Sequence, residues 1–477
     1  MPEDVVRKLD PIFKPRSIAV IGASNKPWKW GYRMVVNPIQ SGYRGRIYPI
    51  NPGEETVAGI RAFPSILKVP EDIDLAVIVV PAPKVPEVME ECVEKGVKSA
   101  IIISAGFAEI GYEGEKLQEE VVKIAKKGDI PFIGPNCNGI WSADVRLNLA
   151  LPGEILPGAL GFISQSGTFG GYLATMAMAH GYGINKFVHI GNAACLTEAD
   201  FLQYFAEDPS VKVIACYLEG LRNGRKFFEL AREIVKKKPV VVFKAGKTEA
   251  GARAMLSHTA SIAGRDEIFE AACKQAGIIR AYEAFHTFIM AEALVKQPLP
   301  RGNGVVVIGS GGGYCVTTAE ACAALGLSLP ELDDETKEKI KKILLPHAPL
   351  PRNPIDTGAD WRPEVYGKLI EIVAPLEYVH GIIISLPPDI TFLRMHGGAI
   401  DSSYMFSHIK AVIEAAERIA KVPREYGKPV VVTCRRQEND PVLNILRNAG
   451  IPFFETPEDC ARAMSALVKY SRVKSKK

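Results

Sequence analysis

Three times in this chain a short apolar run ends in a turn of small residues and restarts as a helix. Ile18–Ile21 runs into Gly22-Ala-Ser24, Gly161-Phe-Ile-Ser164 into Gln165-Ser-Gly-Thr168, and Val305–Ile308 into Gly309-Ser-Gly-Gly-Gly313. Strand, tight turn and helix in that order, repeated, predict parallel sheets with helices packed on their faces. In such sheets ligands sit outside the carboxyl ends of the strands, so these turns are also the first places to look for function.

The spacing of further apolar runs predicts three α/β domains over residues 1–150, 151–298 and 299–477. A chain of 477 residues exceeds one ordinary core and agrees with that number. Strands are expected at Ile18–Ile21, Ile47–Ile50, Leu75–Val80, Ala100–Ile103 and Phe132–Ile133 in the first domain. Val213–Leu218 and Val240–Phe243 follow in the second, and Val305–Ile308, Gly381–Ile384 and Val430–Thr433 in the third. The first domain reads as Rossmann-like and doubly wound. Gln297-Pro-Leu-Pro-Arg-Gly-Asn303 reads as a linker before the third. A helix is expected over Glu458–Val468, a solvated one over Asp333–Lys342, and a frayed tail from Arg472.

A net charge of +4 on this length argues against a nucleic-acid footprint. The nine cysteines form no C-x-x-C pair and no zinc-spaced cluster with histidine, so no metal site is expected and a reducing cytoplasm fits best. The N-terminus lacks the apolar core of a signal peptide, and no apolar run reaches membrane-spanning length.

The turn Gly22-Ala-Ser-Asn-Lys26 suits a phosphate-bearing ligand at the following helix. It is not a G-x-G-x-x-G, because Ser24 and Pro27 occupy the later glycine places, and the second strand ends in Asn51-Pro52 rather than in an acid. A nicotinamide dinucleotide is thereby disfavoured. Lys26, Lys29, Arg33, Arg44 and Arg46 would attract a more highly phosphorylated nucleotide, or else form an ordinary solvated basic face; the residues alone do not separate the two. Ser104-Ala-Gly106 and Gly134-Pro-Asn-Cys137 also follow strands, on the same expected edge.

Ser166, Gly167 and Thr168 offer hydroxyls and free backbone N–H groups at a helix start, an anion site unless Ser166 simply caps the helix. Glu219 ends a central strand, where a carboxylate can hold one imidazole nitrogen and leave the other free, or pair with Arg222 or Arg225. Gly311, Gly312 and Gly313 imply a second anion cradle, with the turn Asn353-Pro-Ile-Asp356 near the same cleft. Gly246-Lys-Thr248 is not a Walker loop, since Val241 stands where its first glycine belongs. After Val240–Phe243 the run of small residues up to Gly264 reads as a loop carrying His258, with a helix restarting near Arg265.

Taken together, Ser17-Ile-Ala-Val-Ile-Gly-Ala-Ser24, Tyr48-Pro-Ile-Asn-Pro52, Gly134-Pro-Asn-Cys137, Ser164-Gln-Ser-Gly167, Tyr217-Leu-Glu-Gly220, Ser257-His-Thr259, Gly311-Gly-Gly313 and Asn353-Pro-Ile-Asp356 resemble the α subunits of ADP-forming acyl-CoA synthetases (acetate–CoA ligases), relatives of succinyl-CoA synthetase. The resemblance spans nearly the whole chain. It implies a CoA-binding Rossmann-like domain followed by two flavodoxin-like ligase domains. It also implies a phosphorylated histidine at His258 steadied by Glu219, and phosphate at Ser166–Thr168 and Gly311–Gly313. The implied CoA contacts are Gly22, Ala23, Ser24, Asn25, Lys26, Asn51, Pro81, Ser104, Ala105, Gly106, Asn136 and Cys137.

The chain departs from the family pattern at Gly53, where a basic residue is usual, which turns attention to Arg44, Arg46 or Lys26 for a CoA phosphate. It departs also at Trp28 and Trp30, at Cys195, at Ala260 beside the histidine, and at Gly171, where succinyl-CoA synthetases carry tyrosine, so a smaller or apolar acid is expected in place of succinate. The implied reaction runs from acyl-CoA and phosphate through acyl phosphate to phosphohistidine and then to ADP. About twenty residues from Lys244 to Gly264, at roughly 3.3 Å each, would give the carrier its reach. ADP and ATP with Mg²⁺ are expected on a separate ATP-grasp β subunit, in an α2β2 assembly, with a small carboxylic acid as substrate. The alternative is a non-catalytic CoA-binding regulatory or scaffold protein, which would not need His258, Glu219 and two phosphate cradles together.

Overall fold

The computed structural model describes residues 2–150, 153, 155–259, 265–386, 402–434 and 440–475, with the backbone only at 2–3, 255–259 and 402–405. It divides into two compact units, Met1–Thr287 and Phe288–Lys477.

The first unit holds two sheets. Strands β1 (Ser17–Ile21), β2 (Arg46–Ile50), β5 (Leu75–Ile78), β6 (Ser99–Ile102) and β7 (Phe132–Ile133) pair in parallel in the order β2-β1-β5-β6-β7, and the two-residue strands β3 (Thr56–Val57) and β4 (Ile60–Arg61) form a small hairpin beside them. Because every residue of β1, β5 and β6 is buried, these strands read as continuous apolar runs rather than alternating ones. Strand order reverses between β1 and β5, which opens a crevice at their carboxyl ends.

The second sheet runs β14 (Ile279–Ala281), β13 (Val240–Lys244), β12 (Val213–Leu218), β10 (Leu160–Ser164), β11 (Ile184–His189), β8 (Gly139–Ser142) and β9 (Leu147–Asn148). β8 and β9 pair antiparallel at one edge, so this sheet draws its edge strands from residues before 151. Its reversal falls between β10 and β12. The N-terminal helix Pro2–Phe13 is tied to the second sheet's helix Glu198–Glu207: Phe13 stacks on Tyr204 at 4.9 Å, and the Tyr204 hydroxyl donates to Asp10 Oδ1 (2.8 Å). Lys186, fully buried, is matched by Asp208 at 2.6 Å and Asp144 at 2.8 Å, so its charge is compensated in place.

In the second unit β15 (Val305–Gly309), β16 (Ile355–Asp356), β17 (Gly381–Ser385), β18 (Val430–Thr433) and β19 (Phe453–Phe454) form a parallel sheet ordered β16-β15-β17-β18-β19, again reversing beside the strand that carries the glycine turn. The helix Asp334–Lys341 lies where expected. The C-terminal residues expected to fray are instead helical up to Ser475, because Pro457–Ser475 buries Ala463, Met464, Leu467 and Tyr470 along one face.

Candidate functional site

A cavity of about 950 Å³ lies at the β1/β5 reversal. Gly22 takes φ +90°, and a Cβ there would come within 3.0 Å of the Val79 carbonyl, so the turn needs glycine. Gly31, in the helix Trp30–Ser41, supplies the close helix contact that the missing glycines of a G-x-G-x-x-G would give: an added Cβ would sit 2.1 Å from the Gly22 oxygen. Asn51 fastens the turn, its Nδ2 donating to the Ala23 carbonyl (2.7 Å) while Oδ1 accepts from the Gly53 N–H (2.8 Å). Of the expected CoA contacts, Gly22, Ala23, Ser24, Asn51, Pro81, Ser104, Ala105, Asn136 and Cys137 line this cavity.

Three do not. Asn25 is spent on the neighbouring hairpin, bonding Glu54, the Thr56 carbonyl and the Ala58 N–H. Lys26 is exposed outside the lining. The Gly106 N–H is taken by Glu109 Oε1 (2.6 Å). Arg44 and Arg46 are also outside, Arg46 pairing with Glu71 at 3.2 Å; the cations in the lining are Lys29 and Lys84. Cys137 turns its thiol inward to the Ile102 carbonyl, and burial pushes it up to about 12, so it is a packing residue and not a nucleophile.

A second cleft, of about 1200 Å³, lies at the β10/β12 reversal and shares Asn136 and Asn138 with the first cavity. Ser166, Gly167, Thr168 and Glu219 all line it. Ser166 precedes the helix Gly167–Ala179 in extended conformation, and its side chain makes no capping bond. The first intrahelical bond there runs from the Gly170 N–H to the Ser166 carbonyl, so the amides of residues 167–169 point out of the helix end. Glu219, 8% exposed, follows β12 into the same cleft. Arg225 pairs with Glu229 (2.9 Å) and Arg222 donates to the Asn192 carbonyl (2.7 Å).

Residues that sequence reasoning did not single out hold these walls. Gln165 Oε1 accepts from the backbone N–H groups of Glu219 and Gly220, and its Nε2 donates to the Gly220 carbonyl (2.7 Å). His189, in the lining of the second cleft, ties Asn138 to Gln165: Nδ1 accepts from the Asn138 N–H (2.7 Å), Nε2 donates to the Gln165 carbonyl (3.1 Å), and its ring leaves no room for a Cβ on Gly167. Burial pushes this imidazole down to about 4, the Gln165 bond opposing only in part, so the ring is neutral with both nitrogens engaged. Asn192 donates to Glu109 Oε2 (2.6 Å) and Gln118 Oε1 (3.0 Å). Burial raises the Glu109 carboxyl, but the bonds from Asn192, Gly106 and Phe107 outweigh it and hold the group below the usual range. Tyr217 is pushed up to about 12 by burial and by the Glu219 charge.

His258 is not on a loop. It stands one residue before the end of the helix Glu249–Thr259, because Glu, Ala, Arg, Met and Leu in that run favour helix more strongly than Gly251 opposes it, and Thr248 Oγ1 caps the Gly251 N–H (3.1 Å). Its side chain lies outside the described residues, as do residues 260–264. These 11 residues rise about 16 Å as helix where an extended chain would span about 36 Å, so the simple reach expected of a loop does not hold over them. In the second unit Gly311 precedes the helix Gly312–Ala324, the Ser310 N–H is taken by Ser385 Oγ (3.1 Å), and the Asp356 carboxylate lies beside Gly312.

The fold and these two cavities define a class: an α/β protein with a cavity at the strand-order reversal of its first sheet and, at that of the second, a cleft lined by a helix N-terminus and a buried acid. Residues 16–143 match the family described as CoA binding domain, and residues 157–294 the succinyl-CoA ligase like flavodoxin domain. The α subunit of ADP-forming acetate–CoA ligase II from Pyrococcus furiosus is 39% identical over 465 residues, covering 97% of this chain and 98% of that one. ADP-forming acetate–CoA ligase I from Archaeoglobus fulgidus is 36% identical over 473 residues, 98% of this chain but 64% of the longer relative. A solved structure of the dinucleotide-forming acetyl-coenzyme A synthetase 1 of Candidatus Korarchaeum cryptofilum, in complex with phosphate and ADP, superposes with a TM-score of 0.85 at 35% identity, covering 98% and 97% of the two chains. The chain belongs to the family of α subunits of ADP-forming acetate–CoA ligases, which are acid–thiol ligases with succinyl-CoA ligase-like domains.

Among the described residues no helix is long and apolar enough to cross a membrane, and all nine cysteines are free thiols.

Proposed function

We propose that this chain performs the acyl and phosphoryl transfers of an ADP-forming acyl-CoA synthetase, with CoA in the first cavity, phosphate at Ser166–Phe169 and His258 as the phosphoryl carrier. The observation that carries the reading is the seam at Asn136 and Asn138, where the two cavities meet. CoA entering along the Gly22 and Ser104 turns brings its thioester to that seam, within the field of the Gly167 helix end.

A phosphate oxygen attacks the thioester carbonyl there. The carbon–sulfur bond breaks, CoA leaves as the thiol after taking the phosphate proton, and acyl phosphate remains. The backbone N–H groups at residues 167–169 and the Ser166 hydroxyl stabilise the charge on phosphate as the tetrahedral centre forms. A neutral nitrogen of His258 then attacks phosphorus, the bond to the carboxylate oxygen breaks, and the acid departs. Glu219 holds the other ring nitrogen and stabilises the phosphorylated, more cationic ring. An ADP oxygen finally displaces the histidine and forms ATP.

The second unit's Gly311–Gly313 serves as a further phosphate contact. ADP with Mg²⁺ binds an ATP-grasp β subunit in an α2β2 assembly. The longer Archaeoglobus relative, of which this chain spans 64%, has room for that part in one polypeptide. The acid is a small carboxylic acid other than succinate, and the reaction runs in the cytoplasm.

Intact-mass analysis of the chain after incubation with acyl-CoA and phosphate, quenched in alkali to preserve a phosphoramidate, tests the reading. One added phosphoryl group in wild type and none in His258→Asn is the expected result. No gain in wild type, even with the β subunit and Mg-ATP present, overturns it.

A further inference from the structure

Lys26-Pro-Trp-Lys29 forms a tight turn closed by the Lys29 N–H on the Lys26 carbonyl (3.0 Å), and it presents Trp28 at its tip, 73% exposed. Trp30, two residues on, is 37% exposed, and both indoles line the cavity at the β1/β5 reversal. A single exposed apolar residue is ordinary on a protein surface. Two tryptophans at one cavity, one at the tip of the turn and one opening the helix that follows, make a recognition surface for a flat ligand.

The charges of the same cavity narrow that occupant. Lys29 and Lys84 line it, and neither makes an ion pair among the described residues; nor does Lys26 on the same turn. Glu87 and Glu91 line it as well, Glu91 accepting from the Ser65 hydroxyl (2.9 Å). A bare polyanion would meet the lysines but be repelled by the two carboxylates. A molecule that joins phosphates to a flat, amine-bearing heterocycle satisfies both signs: its phosphates meet the lysines, its ring stacks on indole, and its exocyclic amine donates to a carboxylate. Of the substrates in the proposed reaction, CoA and ADP have that composition; the reading above gives ADP to the β subunit, which leaves CoA, whose thiol end must reach Asn136 and Asn138 in the lining of the same cavity.

We propose that Trp28 stacks on the adenine ring of CoA, with Lys26 and Lys29 meeting its phosphates, so that the first loop of this chain is a clamp for the nucleotide end of the substrate. The assignment rests on the CoA reading given above and adds to it the residue that discriminates CoA from a shorter pantetheine thiol.

The test is a calorimetric titration of the full-length chain with CoA and, separately, with pantetheine, for wild type, Trp28→Ala and Trp28→Phe. Trp28 is mostly exposed, so neither substitution removes core packing. The clamp predicts that Trp28→Ala weakens CoA by about 10-fold to 100-fold, leaves pantetheine unchanged, and is largely restored by Trp28→Phe, as loss and recovery of one base stack require. Unchanged CoA affinity in Trp28→Ala, with wild type binding CoA, overturns the clamp and leaves the CoA reading standing. Equal weakening of CoA and pantetheine also overturns it, by showing a general effect on the loop. Failure of wild type to bind CoA at all removes the CoA reading and the clamp together.

Discussion

His189 gives the sharpest quantitative prediction about the site walls. Its ring accepts from Asn138 through Nδ1, which a second ring proton would forbid, and burial holds it at about 4 against an ordinary value of 6.5. Above about pH 6.5 the ring is neutral in both folded and unfolded chains and contributes nothing to pH dependence. Between there and about pH 4 the unfolded chain takes up a proton that the folded chain refuses, so stability falls as pH falls. At about 1.4 kcal/mol for each tenfold difference, the full loss is about 3 kcal/mol, of which about 2 is already spent near pH 5. His189→Gln provides the control, because a carboxamide can accept from Asn138 and donate to Gln165 without titrating. Urea unfolding of both proteins, near pH 7 and near pH 5, should show wild type losing about 2 kcal/mol more than the variant on acidification. Parallel losses in the two proteins would mean that the ring titrates normally in the folded state, and the proposed clamp between Asn138 and Gln165 would be wrong.

Two further substitutions probe the cavities separately. Gly31→Ala places a methyl group 2.1 Å from the Gly22 oxygen, so the helix must move off the turn; a loss of about 1–3 kcal/mol on thermal unfolding, with weaker CoA binding, is expected, and an unchanged melting temperature would contradict the close approach. Glu219→Gln keeps the shape of the cleft and removes its charge, so phosphohistidine should form on the order of 10- to 100-fold more slowly while CoA affinity holds. Equal rates by rapid-quench mass analysis would remove Glu219 from the reaction.

Much of the fold was legible because parallel strands buried on both faces announce themselves as unbroken apolar runs: Val213–Leu218, Phe132–Ile133 and Val430–Thr433 are strands over the residues expected, and the other strands expected differ by one or two residues, while β11 was not anticipated. The glycine turns were legible for the same reason, since the residues after such a strand must be small where a helix restarts. What stayed hidden was set by tertiary contacts. The antiparallel edge β8 and β9 is too short to carry a pattern, and its attachment to the second sheet depends on β11. Gly31 lies nine residues past Gly22, outside the spacing a dinucleotide fingerprint would give. Gln165, Asn192 and His189 act through bonds to residues distant in sequence, and nothing local marks them; Gln165 alone had a signal, between the two serines of the anion turn. The small residues around His258 suggest a loop by their size, whereas the segment is helical up to Thr259, alanine being the strongest helix former.

The two histidines near this chemistry make the division of labour intelligible. A phosphoryl carrier needs a free nitrogen lone pair at one moment and freedom to leave at the next. His189 has neither: one nitrogen accepts from a backbone N–H, the other donates its N–H to a backbone carbonyl, and its ring is packed against Gly167. It is built as a strut, and the cleft gains by it, since electrostatic stabilisation works best when the dipoles do not have to reorganise as charge develops. The carrier therefore has to come from an element that the strand ladder does not clamp. The segment after β13 meets that condition, because His258 stands on the helix Glu249–Thr259, outside the strands of the sheet. The proposed mechanism thus asks for a rigid anion site and a histidine outside it, and the same residue type appears in both roles because hydrogen bonding, not the imidazole itself, decides which role it can play.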